Sequence, residues 1–345
     1  MPADAIDVLV RGAGPIGCAA ALALARYKKV RLLGNEAKAT SFRPIVLSYA
    51  SRLILERLAV WDELEVTPID TIRVSQAGRF GRTVFDAADS GVPALGYVLE
   101  YGALVGVLRR AARDLVTEEE LPARCEVHAE GAASAADEKR YAQDALVASV
   151  RFSPEAASTA FERFTPEGPL ALLPHAGRYA VVWSMNPERA QRLVCASDAE
   201  FMRELAACVG AGAGRPVELG SRSVQPLVLR VKRPAVGERS VYIGNAAQTL
   251  HPVAGQGLNV GLRDAWELAR AMQDADDAGD AAVLARFASR RRLDARAAIG
   301  VTDLLARAFL RANPLTGAIL TALDVFPAPR RFFARRMIFG PSALP

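Results

Sequence analysis

The sequence predicts an α/β fold of two interleaved domains, and three observations support this interpretation. A glycine-rich turn close to the amino terminus lies between a short buried strand and a helix. Residues 145–184 have the pattern of neighbouring strands in one sheet, and the chain after Trp266 is almost entirely helical in pattern. Because the chain has 345 residues, 51% of them hydrophobic and 23% charged, it can bury a sizeable core.

The amino-terminal segment has the pattern of a βαβ unit. Residues 6–10 predict a buried strand, residues 15–27 a helix, and residues 30–33 a second strand. The glycines of Gly12-Ala13-Gly14-Pro15-Ile16-Gly17 fall in the strand-to-helix turn. At that place the Rossmann fingerprint brings backbone N–H groups close to a pyrophosphate. The alternative is a tight turn without a ligand.

The central part of the chain alternates between helical and strand patterns. Turn glycines interrupt a β-excursion that we predict over residues 71–98. The other predicted elements are helices over residues 47–58, 103–116 and 188–209, and strands over residues 124–129 and 224–231.

A second glycine motif follows a strand much later in the chain. The strand Val241–Ile243 leads into a Gly244-Asn245 turn, and a loop that begins at Pro252 runs into a helix near Leu258. Such a loop aims backbone N–H groups and a helix N-terminus at an anionic or electron-rich group. Together with the first glycine turn, it predicts one large cofactor held from both ends of the chain.

Composition and targeting signals favour a cytoplasmic protein. No apolar run reaches the roughly 18–20 residues of a membrane span. Residues 1–10 lack the pattern of a signal peptide. The cysteines have neither CxxC nor metal-ligand spacing, so we expect them to be reduced, buried and free of metal: Cys18, Cys125, Cys195 and Cys208.

The net charge of +5 comes largely from arginines in the last sixth of the chain. They alternate with apolar residues, which favours a membrane surface over nucleic acid as the partner. A peripheral place at the inner membrane is therefore the alternative to a purely cytoplasmic one, and an ordinary packing helix is the alternative reading of the tail. The residues concerned are Arg330, Arg331, Arg335 and Arg336 with Phe332, Phe333, Met337, Ile338 and Phe339.

These motifs together resemble the flavin-dependent aromatic hydroxylases of the group A type, in particular the ubiquinone-biosynthesis hydroxylases. The resemblance covers nearly the whole chain. Besides the two glycine motifs, it rests on the segments Phe42–Ser48, Phe161–Thr165, Gly168–Pro174, Arg290–Asp294 and Arg335–Gly340.

The resemblance implies a three-layer ββα, Rossmann-like domain of the glutathione-reductase type that binds FAD, an inserted mixed-sheet substrate domain, and a helical C-terminus. The implied FAD-binding parts are residues 1–72, 98–135 and 237–300. Residues 73–97 and 140–236 would form the substrate domain, and residues 301–345 would be C-terminal helices with a membrane-facing surface.

The resemblance also implies site residues. Gly12, Gly14 and Gly17 would approach the pyrophosphate of FAD, Arg43 its adenosine side, and Asn245 its ribityl and phosphate oxygens. The loop from Pro252 to Asn259 would wrap the isoalloxazine ring, with His251 either beside the flavin or bound to backbone. The members of that loop are Pro252, Ala254, Gly255, Gln256, Gly257, Leu258 and Asn259.

The implied chemistry is reduction of the flavin by NAD(P)H, capture of O₂, and hydroxylation of a phenolic, polyprenylated ring. It requires no side-chain nucleophile, and the sequence has no metal-ligand cluster and no Ser/His/Asp set. We expect His175 to be solvent-exposed and His128 to be a hydrogen-bonded core residue.

Some positions depart from the family pattern on the adenosine side. The ribose-binding acid expected at the end of the second strand is replaced by Gly34, and Glu130 replaces the usual Asp before Gly131. A β-meander of about 25 residues is reduced to the short loop Thr117–Ala123. These departures keep one alternative open: a flavin-poor or flavin-free homologue that acts as a binding or scaffolding partner in a ubiquinone-biosynthesis assembly. A third reading, an oxidoreductase for a soluble aromatic acid, would share the fold but should lack a membrane-facing tail.

Overall fold

The computed structural model describes residues 5–34, 42–131, 137–155, 158–232, 235–249, 256–292 and 314–340. Within these ranges the chain forms a six-stranded sheet, an eight-stranded sheet and a three-stranded sheet, each with helices packed against it. The α/β class predicted from the sequence is confirmed.

The six-stranded sheet has the order β15-β16-β9-β1-β2-β8. Its inner strands run parallel, because β1 pairs in parallel with both β2 and β9, and β9 pairs in parallel with β16. The strands are β1 (Ile6–Arg11), β2 (Val30–Leu33), β8 (Val116–Thr117), β9 (Ala123–His128), β15 (Val236–Gly237) and β16 (Ser240–Tyr242).

One face of this sheet is covered by helices that share a single apolar core. The core joins Val8 and Val10 of β1 to small residues of α1 and to Leu262 and Leu268 of α7. The helices are α1 (Pro15–Leu24), α2 (Tyr49–Arg57), α4 (Tyr101–Ala112) and α7 (Gln256–Met272). A further helix, α8, includes residues 281–292.

The eight-stranded sheet is mixed and has the order β17-β14-β10-β13-β12-β11-β5-β6. Its strands are β5 (Thr71–Gln76), β6 (Arg82–Asp86), β10 (Asp137–Ser153), β11 (Thr159–Phe164), β12 (Pro169–His175), β13 (Arg178–Met185), β14 (Arg215–Val231) and β17 (Gln248–Thr249). Helices α5 (Pro187–Cys195) and α6 (Asp198–Val209) cover one face of this sheet, around the buried Trp183 and Phe201.

The third sheet is small and lies between the two large ones. It has the order β3-β7-β4, with β3 (Pro44–Ser48), β4 (Thr67–Ile69) and β7 (Gly96–Glu100), and α3 (Ala87–Ser90) precedes β7. Val46 and Val98 of this sheet pack against Ala160 of β11 in the eight-stranded sheet. Leu47 and Leu99 belong to the core of the six-stranded sheet, so the small sheet connects the two.

Two helices described near the C-terminus begin at prolines. They are α9 (Pro314–Val325) and α10 (Pro327–Phe339). Proline suits the first turn of a helix because the N–H that it lacks has no intrahelical partner there. No helix in the described part of the chain is both long and apolar enough to cross a bilayer.

The structure corrects several predictions. The helix predicted over residues 188–209 is two helices, because Ser197 caps α6 by accepting a hydrogen bond from the backbone N–H of Glu200. Residues 44–48 form a strand ahead of the helix predicted over 47–58. Cys195 is exposed, whereas Cys18 and Cys125 are buried as expected.

Candidate functional site

The first glycine motif forms a close turn between β1 and α1. Gly12 has a φ of +103°, and a Cβ built on Gly17 would lie 1.7 Å from the carbonyl oxygen of Gly12. By contrast, a Cβ on Gly14 would meet nothing within 4 Å. Gly12 and Gly17 are therefore required by the turn itself, whereas Gly14 leaves open space at the start of the helix.

The N-terminus of α1 is suited to an anion. Gly14 is its N-cap, no side chain caps it, and its first turn contains no acidic residue. Unpaired N–H groups and the positive end of the helix dipole favour a phosphate at such a place. Arg109 of α4 adds a positive charge nearby, because its Nε donates to the carbonyl oxygen of Ala13 over 2.8 Å. Sequence reasoning missed Arg109, which no local motif marks.

The second glycine motif contacts the first. Cβ atoms built on Gly244 and Gly261 would lie 3.0 Å and 2.7 Å from side-chain carbons of Ile16, in the first turn of α1. The absence of side chains on these glycines lets the Gly244–Ala246 turn and α7 pack directly on α1. Asn245, in this turn, is exposed beside the N-terminus of α1.

Asn259 uses its side chain to hold α7 against β3. It is 2% exposed, and its Oδ1 accepts hydrogen bonds from the backbone N–H of Ser48 (2.8 Å) and from Ser51 Oγ (2.6 Å). Its Nδ2 donates to the carbonyl oxygen of Val46 over 2.9 Å. The side-chain amide of Asn259 therefore has a structural role. A ligand at the first turn of α7 could contact the backbone there and the half-buried Gly257 and Leu258.

Other residues predicted for the site have different surroundings. The exposed Arg43 lies over the ring of Tyr101, with 4.3 Å between its Cζ and the ring centroid. Gln248, which precedes the second loop, is 3% exposed, and in the described structure neither polar atom of its side chain has a hydrogen-bond partner. A buried amide without a partner is costly, which fits a ligand polar group at this place. His251, Pro252, Ala254 and Gly255 lie outside the described residues, as does the side chain of Gln256.

Gly34 stands where the usual fingerprint has the acidic residue that binds the adenosine ribose, and a side chain would not fit at this position. A Cβ on Gly34 would lie 2.7 Å from the backbone nitrogen of Ala13. On the sheet face opposite α1, Arg11 pairs with Glu120 of the short loop and with Glu126, its Nε 3.0 Å from Glu126 Oε2. The hydrogen bond from Arg11 lowers the pKa of Glu126. The residues at the first glycine turn thus fit the pyrophosphate of a dinucleotide. In place of the expected β-meander, the protein has a surface of ion pairs between Arg11, Glu120 and Glu126.

The face of the mixed sheet opposite α5 and α6 carries a row of half-buried side chains across its centre. The row on one side of it is buried, with Phe164 and Ser184 3% and 2% exposed. On the other side, the buried Ala160 and Ala180 alternate with half-buried residues. Partly accessible, mostly apolar side chains of this kind suit contact with a ligand. We call the half-buried central row the chamber row, and from β5 to β14 it consists of Val74, Glu162, Ala171, Val182, Val147 and Ser223.

Both described histidines differ from expectation. His175 was expected to be exposed, but its side chain is only 18% exposed, with Nε2 3.6 Å from Glu100 Oε1. Because β12 ends there against β4 and β7, the turn is covered. His128 is stacked on Tyr242 with 4.5 Å between ring centroids, and its Nδ1 is 3.2 Å from Glu130 Oε2. It lies on the ion-paired face rather than in the core.

Comparison with known proteins places this geometry in a family. A model described as an FAD binding domain matches residues 109–302. The chain is 30% identical to the ubiquinone hydroxylase UbiL of Rhodospirillum rubrum, over 88% of this chain and 81% of that protein. It is 27% identical to the 3-demethoxyubiquinol 3-hydroxylase of Escherichia coli, over 84% and 86%. The fold matches PqsL of Pseudomonas aeruginosa with a TM-score of 0.77 at 20% identity, over 92% of this chain and 100% of that one.

Proposed function

The chain belongs to the FAD binding domain family, and on that premise we propose that it is an FAD-dependent monooxygenase that hydroxylates a phenolic ring in ubiquinone biosynthesis. NAD(P)H would be the reductant and O₂ the co-substrate. The observation that carries the proposal is the contact of both glycine motifs on Ile16, which brings two helix N-termini to one place. The names of the relatives supply the substrate class, a polyprenylated ring.

In this proposal the protein binds and orients, and the cofactor supplies hydride and oxygen chemistry. The free N–H groups of α1 would bind the pyrophosphate, and Arg109 would add to the positive potential there. Asn245 would contact the phosphate and ribityl oxygens. The backbone N–H groups in the first turn of α7 would stabilise negative charge on the reduced ring.

The chamber row would hold the aromatic substrate. Four of its six side chains are small or branched apolar groups, and the row on one side of it is buried, so it would offer an aromatic ring a largely apolar surface. Exclusion of water matters for this chemistry because water in the site would hydrolyse reactive intermediates or deliver protons to them before the ring is hydroxylated.

The cofactor site is tested by Gly14→Ala. Apart from its chain neighbours, no atom of the described residues lies within 4 Å of the added methyl group, and Gly14 has a φ of −76°, which alanine adopts. We therefore expect free energy of unfolding within about 1 kcal/mol of wild type, as for other N-cap changes. FAD affinity should fall about 10-fold or more, because the methyl group occupies the space of the pyrophosphate. Absorbance titration with FAD measures this.

Equal FAD affinity in Gly14→Ala and wild type would contradict the placement of the pyrophosphate. A wild-type protein that takes up no FAD at all would support the other interpretation of the sequence, a flavin-free partner in a ubiquinone-biosynthesis assembly. The missing ribose acid and meander are the observations that favour that outcome.

We also propose that the protein contacts an anionic membrane surface. Six of the ten large apolar side chains that are exposed in the described structure lie on α9, on α10, in the turn between them and in the β5–β6 turn. Exposed arginines at 331, 335 and 336 flank them. A basic rim around an apolar patch suits an anionic bilayer. We call these residues the apolar patch: Phe80, Leu315, Ile319, Val325, Phe326 and Phe332.

The patch differs from the one that the sequence predicts. Ile338 is 3% exposed, and Phe333 and Phe339 pack on the same core cluster, so these three side chains face the protein. This outcome matches the alternative of a packing helix for that side of α10. Phe332, which is 70% exposed, and the preceding turn point outward instead.

The double variant Phe326→Ser/Phe332→Ser tests membrane contact. The two side chains are 58% and 70% exposed, so stability should change by no more than about 0.5 kcal/mol. Co-sedimentation with phosphatidylglycerol-containing vesicles should fall at least several-fold. Val217→Ser, an exposed apolar residue on β14, is the control and should bind like wild type. Wild-type protein that stays in the supernatant would refute membrane contact.

A further inference from the structure

Glu162 is an ionisable group in a place where the sheet otherwise offers apolar and neutral polar side chains. It lies in the chamber row on β11, between Val74 of β5 and Ala171 of β12. The next position on the same strand, Arg163, belongs to the opposite face, where its Nη1 donates to Ser75 Oγ. Among the described residues, none donates a hydrogen bond or an ion pair to the Glu162 carboxyl.

Glu162 is a half-buried residue with a desolvated carboxyl. Protein surrounds it densely enough that burial raises its pKa to about 7, while its residue keeps a half-buried surface. A half-buried residue whose carboxyl has protein on most sides fits the wall of a partly open site, because desolvation favours the neutral acid while part of the residue stays accessible. A desolvated carboxylate to which no described residue donates costs stability, and a bound ligand that donates a hydrogen bond would offset that cost.

The position also connects to the cofactor end of the site. Ala160 lies on the same face two residues before Glu162, about 7 Å along the strand. Ala160 packs with Val46, whose carbonyl oxygen accepts the hydrogen bond from Asn259 of α7. Glu162 therefore lies two residues along β11 from Ala160, which packs beside the residues that hold the start of α7.

We propose that Glu162 binds the phenolic hydroxyl of the substrate and takes its proton during ring hydroxylation. This inference rests on the proposed function. The substrate O–H bond breaks, a bond from that proton to a carboxylate oxygen of Glu162 forms, and the electron pair stays on the phenolic oxygen. Because that oxygen conjugates with the ring, the ring carbon becomes a better nucleophile toward the electrophilic oxygen. The proton leaves Glu162 to solvent when the product departs.

Among the described residues of the chamber row, Glu162 is the group suited to acid–base chemistry, because its polar neighbours are neutral or are paired with other residues. Thr83 on β6 and Ser184 on β13 face the same side but do not titrate near neutrality. His175, four residues beyond Ala171 on β12, is the next ionisable group along this face in the described structure, and it faces Glu100. Arg178, beside it, is paired with Glu218.

The variant Glu162→Gln tests the proposal, with Glu218→Gln, at an exposed position on β14 of the same sheet, as the control. We expect both variants to retain FAD to the wild-type extent. Hydroxylation of a phenol in single-turnover experiments should fall about 100-fold or more in Glu162→Gln, as for loss of a general base, and stay within twofold in the control.

The pH profile separates proton transfer from packing. Glu162 must be ionised to accept a proton, so the wild-type rate should rise as pH increases through about 7. That rise should disappear in Glu162→Gln and return, at a lower rate, in Glu162→Asp. Because its raised pKa makes ionised Glu162 destabilising above neutral pH, Glu162→Gln should also have a higher Tm than wild type at pH 8. A packing role predicts a lower Tm.

A binding measurement keeps this inference distinct from the proposed function. 4-Nitrophenol changes colour on ionisation and is titrated against wild type and Glu162→Gln. If Glu162 accepts the proton of the bound hydroxyl, the two groups share one proton and titrate as a coupled pair, so the bound dye should ionise in two steps in wild type and in one step in the variant. No difference between the two proteins would overturn the role of Glu162. A difference in a protein that never hydroxylates would overturn the monooxygenase instead.

Discussion

Gly17→Ala should abolish the native fold of the amino-terminal unit. The added Cβ would lie 1.7 Å from the carbonyl oxygen of Gly12, a backbone atom that cannot move without breaking the turn between β1 and α1. Alanine is favoured over glycine within helices by up to about 1 kcal/mol. The clash outweighs this gain, and we expect a loss of more than about 4 kcal/mol in the free energy of unfolding or no soluble protein. Urea denaturation followed by circular dichroism measures it.

The matched control is Gly102→Ala in α4. It makes the same change inside a helix, but its Cβ would meet nothing within 4 Å. Its free energy of unfolding should equal or exceed the wild-type value. If Gly17→Ala unfolds at the same urea concentration as this control, the close approach of α1 to Gly12 is wrong.

Asp264→Ala should have the second largest effect. Asp264 is 3% exposed, and its Oδ2 is 3.1 Å from Nε of Arg291, whose side chain is 8% exposed. The same oxygen accepts the backbone N–H of Gly244 over 3.3 Å. Removal of the carboxylate leaves the guanidinium buried without its counter-charge. We expect a loss of about 3–5 kcal/mol in the free energy of unfolding.

A double-mutant cycle distinguishes this pair from simple loss of packing. Arg291→Met alone should also destabilise the protein, because it removes the positive charge that lies 3.1 Å from the buried Asp264 carboxylate. The double variant Asp264→Ala/Arg291→Met should lose less than the sum of the two single losses. Strict additivity would show that the two side chains do not interact in solution.

Asp264 also matters for the site. It fixes the Gly244–Ala246 turn to α7 and joins both to α8, and Asn245 projects from that turn. A variant that still folds should therefore bind FAD less tightly, although Asp264 itself lies behind the turn. The sequence gives no hint of this pair, since its members are 27 residues apart and belong to separate helices.

Local sequence motifs predict much of the fold. The alternation of apolar residues and the glycine spacing in residues 6–33 predict the βαβ unit because the period of a strand and the sterics of a tight turn are properties of neighbouring residues. Pro314 and Pro327 mark the starts of α9 and α10 for the same reason. The prediction of one helix over residues 188–209 was wrong because the side chain of Ser197 caps a new helix, α6, directly after α5 has ended.

Only the tertiary structure decided which side chains share a site. Phe333 and Ile338 appear in the sequence among arginines, yet α10 rotates them onto the core because Phe85 and Leu95 offer them apolar contact. Arg109 reaches Ala13 across 96 positions of the sequence. Glu162 is one residue in a strand of ordinary pattern, and its surroundings come from β5 and β12.

The sequence by itself determined the α/β class, the two glycine motifs and the resemblance to flavin hydroxylases, since these depend on spacing along the chain. The tertiary structure decided that both motifs meet on Ile16, that a side chain at Gly34 would not fit, and that Glu162 lies half-buried in the chamber row. The physical reason is that burial and electrostatic environment arise from groups distant in sequence. Such contacts exist only once the sheets have packed.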